Sequence, residues 1–191
     1  SSKSADGEDS SADKHYKVAL GSFHQGMYSD AKVQLQRAVE ADPKHGDAHY
    51  LRGLIALHEG KDMVEAVDGR VCLMDEAANL QRLRADELHR LARESFEAAV
   101  TAYGEDEPGK GRALNSMSVV SLYFQEHNRA VEEAEGALGV QFYTERFSAL
   151  ANLGWAYYQG GDSVQAMTEL RQAVMFNPEY CVGRYRLAQV Y

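Results

Sequence analysis

Proline is scarce, three residues in 191, so little in the chain interrupts a helix. Cysteine is scarcer. Cys72 and Cys181 form no closely spaced pair of the kind that binds metal or cycles through a disulfide. Two cysteines alone do not decide a redox compartment. No apolar run approaches the ~18 residues of a spanning helix, so no helical membrane passage is expected within these residues. Positive charge is also short. Lys and Arg number 20 against 29 Asp and Glu, and the net charge of −9 argues against a general binder of nucleic acid or anionic membrane.

Catalytic signatures are missing as well, with no nucleophile motif and no glycine-rich cofactor loop. GEDEPGKG, residues 104–111, comes near the phosphate-binding pattern G-x-x-x-x-G-K-[ST]. Gly111 replaces the magnesium-binding hydroxyl, no strand precedes it, and three acids would repel phosphate, so a plain loop is expected. His45 and His49 are four apart but lie across a helix start with no third ligand nearby. No catalytic residue, metal or cofactor is expected.

Alanine, leucine, glutamate and glutamine are abundant, and they favour helices. The clearest stretch is Leu150 to Pro178, LANLGWAYYQGGDSVQAMTELRQAVMFNP. Leu150, Leu153, Gly154, Tyr157 and Tyr158 fall at helical spacing; Gly160-Gly161-Asp162 breaks that helix. Ala166, Leu170, Ala173 and Val174 then mark a second buried stripe. The intervals recur. Ala31, Ala38 and Pro43 repeat the spacing of Ala166, Ala173 and Pro178, while Ala92/Ala99 and Ala130/Ala137 repeat it without the proline. The pattern L-x2-L-G-x2-Y…A-x3-L…P resembles the tetratricopeptide repeat (TPR), a helix pair that must stack on neighbours to bury its apolar face.

The expected fold is all-α: a superhelical array of helix-turn-helix TPR units, without β-sheet and with an insertion in the second repeat. Residues 1–13, SSKSADGEDSSAD, have no large apolar side chain and read as a flexible polar tether. Repeats follow at about 14–45, 46–103, 112–139 and 147–180, with a half repeat over 181–191. The alanine expected near position 65 comes 27 residues late, as Ala92, so 61–88 reads as an insertion, mostly a spacer helix broken at Asp68-Gly69. Cys72 and Cys181 then lie about five helices apart, too far for a bond. The chain opens on Ser1 and stops at Tyr191 inside an apparent helix, so both ends are expected to be products of processing or of a cut in a longer chain.

In TPR arrays the first helix of each pair lines the concave face. That rule nominates Tyr16, Leu20 and Phe23 in the first repeat and Tyr50, Leu54 and Leu57 in the second. Met117 and Phe124 follow from the third, Trp155 and Tyr158 from the fourth, and Tyr185 from the fifth. These are apolar or aromatic, unlike the Lys, Arg and Asn that clamp an acidic tail in chaperone adaptors. A groove for an extended or helical peptide is expected, with some of these side chains packing against adjacent helices instead.

One further likeness rests on Tyr143-Thr144-Glu145-Arg146 in an irregular link, followed by Asn152-Leu153-Gly154. This arrangement is similar to the TPR lipoproteins of type IV pilus biogenesis, the PilF/PilW pilotin family with its relative Tgl. The resemblance implies a protein-binding module at the periplasmic face of the outer membrane, held by an acylated cysteine. It implies a secretin subunit or another pilus-assembly protein as partner, with no nucleic acid and no other membrane contact. The alternative is a soluble cytoplasmic TPR scaffold or co-chaperone adaptor. The 61–88 segment departs from the family's compact pattern.

Overall fold

Alanine sets how closely the helices approach. In every second helix two alanines seven apart flank a third residue at the same spacing: Ala31, Leu35, Ala38; Ala92, Phe96, Ala99; Ala130, Ala134, Ala137; Ala166, Leu170, Ala173. All twelve are fully buried. The alanines admit a neighbouring backbone, and Leu35, Phe96 and Leu170 fill the space between in three of the four sets.

The computed structural model describes residues 9–68, 76–105 and 107–191, with side chains at 67, 68 and 77 left aside. The described residues form α1 (Ser11–His24), α2 (Tyr28–Ala41), α3 (Gly46–Asp68), α4 (Glu76–Ala102) and α5 (Pro108–Tyr123). They continue with α6 (His127–Gly139), α7 (Arg146–Gln159), α8 (Ser163–Phe176) and α9 (Cys181–Val190). No strand occurs among them. Each odd helix pairs with the even helix that follows, and α1, α3, α5, α7 and α9 also touch one another in succession. That is the stacking of a TPR array, with the first helices along one wall.

The turns show why the pairs close. Gly26 and Gly161 sit at φ +74° and +91°, the left-handed region that glycine enters without strain. At the equivalent turn between α5 and α6 the residue is Gln125, at φ 59°. Asp162 caps α8 by accepting from the Gln165 amide at 3.0 Å.

Several boundaries differ from expectation. Ser10 and Asp13 form a reciprocal capping box and Ala12 is buried, so α1 begins at Ser11, inside the expected tether. Residues 1–8 lie outside the described ones. The 104–111 segment is not wholly loop: Pro108 opens α5, a position where its missing donor costs nothing, and Gly109 to Gly111 are its first turn. Within the 112–139 repeat, Phe124 is the C-cap of α5 and α6 starts at His127.

In the second repeat the helix-compatible residues are helical but continuous with their neighbours. Residues 61–68 prolong α3 to 23 residues, and 76–88 are the front half of a 27-residue α4, where α1 and α2 have 14 each. No separate spacer helix stands there among the described residues. Gly69 and Cys72 fall outside them, so the expected lack of a Cys72–Cys181 bond does too. Cys181 is an exposed free thiol.

Candidate functional site

The hairpin of α3 and α4 is closed by glycines on one helix facing rings on the other. A Cβ on Gly46, Gly53 or Gly60 would come within 2.5–2.8 Å of the Tyr103, Phe96 and His89 rings respectively. Both sets are spaced by seven residues, two helical turns, so the pairs lie one above another. At one end the Tyr103 hydroxyl donates to Asp47 Oδ1 at 2.5 Å. Burial and the neighbouring Asp47 carboxylate push the Tyr103 phenol up. At the other end His89 stacks flat on Tyr123, ring centroids 3.6 Å apart. Burial pulls the His89 pKa down, so the neutral ring is favoured, and Nδ1 lies 2.7 Å from the Ala85 carbonyl. Tyr123 in turn donates to Asp86 Oδ1 at 2.7 Å.

A polar ladder runs inside the wall of first helices. Asn115 on α5 donates to Ser148 Oγ at 3.1 Å and accepts from Asn152 Nδ2 on α7 at 2.8 Å. Asn152 Oδ1 accepts from Arg186 Nη1 on α9 at 2.7 Å, and the same nitrogen reaches the Ala151 carbonyl at 3.0 Å. The Arg186 guanidinium lies 5.5 Å over the Trp155 ring. Both asparagines are buried, so these bonds fix the register of three repeats.

A second network locks α4, α5 and the start of α6. Arg93 grips Glu126 through both nitrogens at 2.6 and 3.2 Å. Ser121 Oγ donates to Glu133 Oε2 at 2.6 Å, and Arg129 spans Glu133 and Glu97 at 2.9 and 2.8 Å. Burial raises the Glu133 carboxyl above the usual range against the pull of Ser121 and Arg129. The Tyr-x-Glu-Arg link is anchored by similar means. Tyr143 is buried where Gly111 leaves room for its ring, and Arg146 donates to the Leu138 carbonyl at 2.7 Å, satisfying the end of α6.

The first helices together line a groove of about 490 Å³. Its walls are Leu57 and Lys61 of α3, His89 of α4, Val119, Leu122 and Tyr123 of α5, Trp155 and Gln159 of α7, and Arg186 of α9. Of the nominated residues, Leu57 and Trp155 are among these walls. Tyr158 is half-buried with its ring 5.1 Å from that of Trp155. Tyr16, Leu20, Phe23 and Leu54 pack half-buried on the first core cluster. Tyr50 and Phe124 do so on the second, and guanidinium groups of Arg90 and Arg93 cover Phe124 at 5.7 and 5.3 Å. Tyr185 is exposed. Met117 is a correction: it is core, packed with Phe96 and Val120, and presents no surface to a partner.

Sorting by apolarity passed over His89, Tyr123 and Arg186. Two periods could have found them: the seven-residue spacing of His89, Phe96 and Tyr103, and the 34 residues from Asn152 to Arg186. His45 and His49, weighed as metal ligands, serve structure. His45 Nδ1 accepts from the Ala48 amide at 3.1 Å and Nε2 lies 3.2 Å from Asp13 Oδ1, while His49 meets the Pro43 carbonyl at 2.9 Å.

Helix pairs of this geometry, stacked with their first helices along one wall, define a tetratricopeptide-repeat protein, a class of protein-binding scaffolds that are generally non-enzymatic. Tetratricopeptide-repeat models match residues 23–68 and 147–180. Among characterised relatives the chain is similar to the type IV pilus assembly protein PilF of Pseudomonas aeruginosa, 25% identical over 141 residues. That match takes in 71% of this chain and 56% of PilF, so the chain spans little more than half of its relative's length. The solved structure of P. aeruginosa PilF superposes with a TM-score of 0.70, 20% identity, 94% of this chain and 67% of that one. PilW, described as a widely conserved type IV pilus biogenesis factor, gives 0.71 at 16% identity, covering 96% and 70%. At such identities the structures show the shared fold. No described helix is long and apolar enough to cross a membrane.

Proposed function

We propose that this chain is the protein-binding repeat domain of a type IV pilus assembly factor, and that its groove holds a secretin subunit or another pilus-assembly protein. The observation that carries this reading is the groove wall itself. Leu57, Val119, Tyr123 and Trp155 bring apolar and aromatic surface from three successive first helices to one strip, over the buried Leu122. Large rigid side chains in such a strip gain most when a partner excludes water from them. The likeness to PilF and PilW supplies the biological setting. In that setting the array faces the periplasm, held to the outer membrane by an N-terminal lipid anchor, and assists secretin assembly by binding rather than by catalysis.

The test is secretin multimer formation in cells carrying Trp155→Ala or Leu57→Ser in the full-length protein, with a circular dichroism melt of each variant. Folded variants with few multimers support the reading. Folded variants with normal multimers contradict it.

A further inference from the structure

We propose that the partner segment held in this groove carries an acidic side chain beside an aromatic or aliphatic one, and that Arg186 receives the carboxylate. The proposal rests on the groove reading above and adds the chemistry of its occupant.

Arg186 is the odd member of the wall. The chain carries a net charge of −9, yet no carboxylate pairs with this guanidinium among the described residues. Its bonds to protein are made by Nη1 alone, to the Asn152 amide oxygen and the Ala151 carbonyl, both neutral acceptors. Among the described residues neither Nε nor Nη2 is bonded to protein, and neither is sealed off on a side chain that lines the groove. Withdrawal from water disfavours the charged form of Arg186, and among the described residues the group that pulls the other way is the Tyr180 phenol, not a carboxylate. Two adjacent free donors on a planar fork suit a carboxylate. The fork is held in place before any ligand arrives, by Asn152 on one edge and the Trp155 face below.

The other ionisable groups of the wall leave this position open. Lys61 is paired with Glu65 at 3.7 Å, His89 is held toward its neutral form, and Asp86 is engaged by Tyr123. No acidic residue lines the groove among the described residues. Beside the cation stand Trp155, Leu122 and Tyr123, which set an apolar neighbour next to the bound acid. The walls cross α3, α5, α7 and α9 in succession, so a chain laid along them passes through; the carboxylate is that of an internal Asp or Glu side chain, not of a chain end.

The experiment uses peptides tiling the secretin subunit, each made both end-blocked and with a free C-terminus, titrated against the full-length protein at low salt. Trp155 is the one tryptophan of these 191 residues and lies in the groove wall, so a change in its emission that is lost in Trp155→Phe reports occupancy. Peptides that bind are expected to contain Asp or Glu beside an apolar residue. Replacing that acid by its amide should weaken binding about tenfold, near 1.4 kcal/mol, and added salt should erode the difference. In Arg186→Gln the acid and amide peptides should bind alike, while Arg186→Lys keeps part of the preference. If Arg186→Gln does not fold, the acid–amide comparison and its salt dependence on the unaltered protein still decide. Equal binding of acid and amide peptides overturns this proposal and leaves the groove reading standing. Binding only by peptides with a free C-terminus overturns it in favour of end recognition. Binding by no secretin peptide overturns this proposal and removes the secretin as the groove's occupant.

Discussion

Replacing Gly154 by alanine sets two effects of opposite sign against each other. Gly154 lies inside α7, where alanine is the better helix former by about 0.8–1 kcal/mol. Were there space, the substitution would stabilise. An added Cβ, however, would stand 2.7 Å from Leu170 Cγ, 3.0 Å from the Ala166 carbonyl oxygen and 3.1 Å from the Leu170 amide nitrogen. Two of those three atoms are α8 backbone, and Leu170 is fully buried, so the methyl is admitted only by parting the two helices. Overpacking of this kind costs about 1–3 kcal/mol, which cancels the helical gain and leaves a net loss of up to about 2 kcal/mol. For a domain of this size that is a fall in Tm of up to roughly 8 °C. Gly154→Leu should be worse. Gly21→Ala is the control, since nothing lies within 4 Å of its Cβ site; it should gain about 0.4–1 kcal/mol. Thermal melts followed by circular dichroism measure all three. If Gly154→Ala melts higher, as Gly21→Ala should, the close crossing of α7 and α8 is refuted.

Gln125→Gly should gain about 0.5–1 kcal/mol, because Gln125 holds the left-handed turn that Gly26 and Gly161 hold elsewhere; a lower midpoint in urea would count against this. Asn152→Ala should lose about 1–3 kcal/mol, because it strips one partner each from the buried Asn115 and from Arg186; an unchanged midpoint would mean the ladder carries no stability. For Glu133 the folded-state pKa is raised, so its contribution is fully present below the usual glutamate value of 4.5 and is lost as pH rises through the raised value. Urea melts of the native protein and Glu133→Gln should therefore show the native protein losing ground to the variant as pH rises above 4.5, and the reverse trend would contradict the sign.

The second helices were legible because their signal is local. Two alanines seven apart with a third apolar residue between them announce a tightly packed face, and all four sets are buried. Glycine turns were equally plain at Gly26 and Gly161, but hidden at Gln125, where a side chain occupies the same backbone conformation. The 61–88 segment shares the period of the helices it joins, so periodicity could not say whether it adds a helix or lengthens two. The groove was the least legible part. An apolar residue on a first helix reads the same whether it faces solvent, like Tyr185, or core, like Met117. Arg186 was invisible because its meaning lies in Asn152, 34 residues away, and in the absence of any acid beside it.

If the groove wall, and not the outer helices, meets a pilus-assembly partner as proposed, a photo-crosslinking residue at Val119 on that wall should capture it in cells that assemble secretin, and one at exposed Val164 on α8 should not. The expected result is a crosslink to the secretin subunit or another pilus-assembly protein from position 119 and none from 164. Crosslinks to that partner from 164 alone would place the contact on the outer helices and rule out the groove.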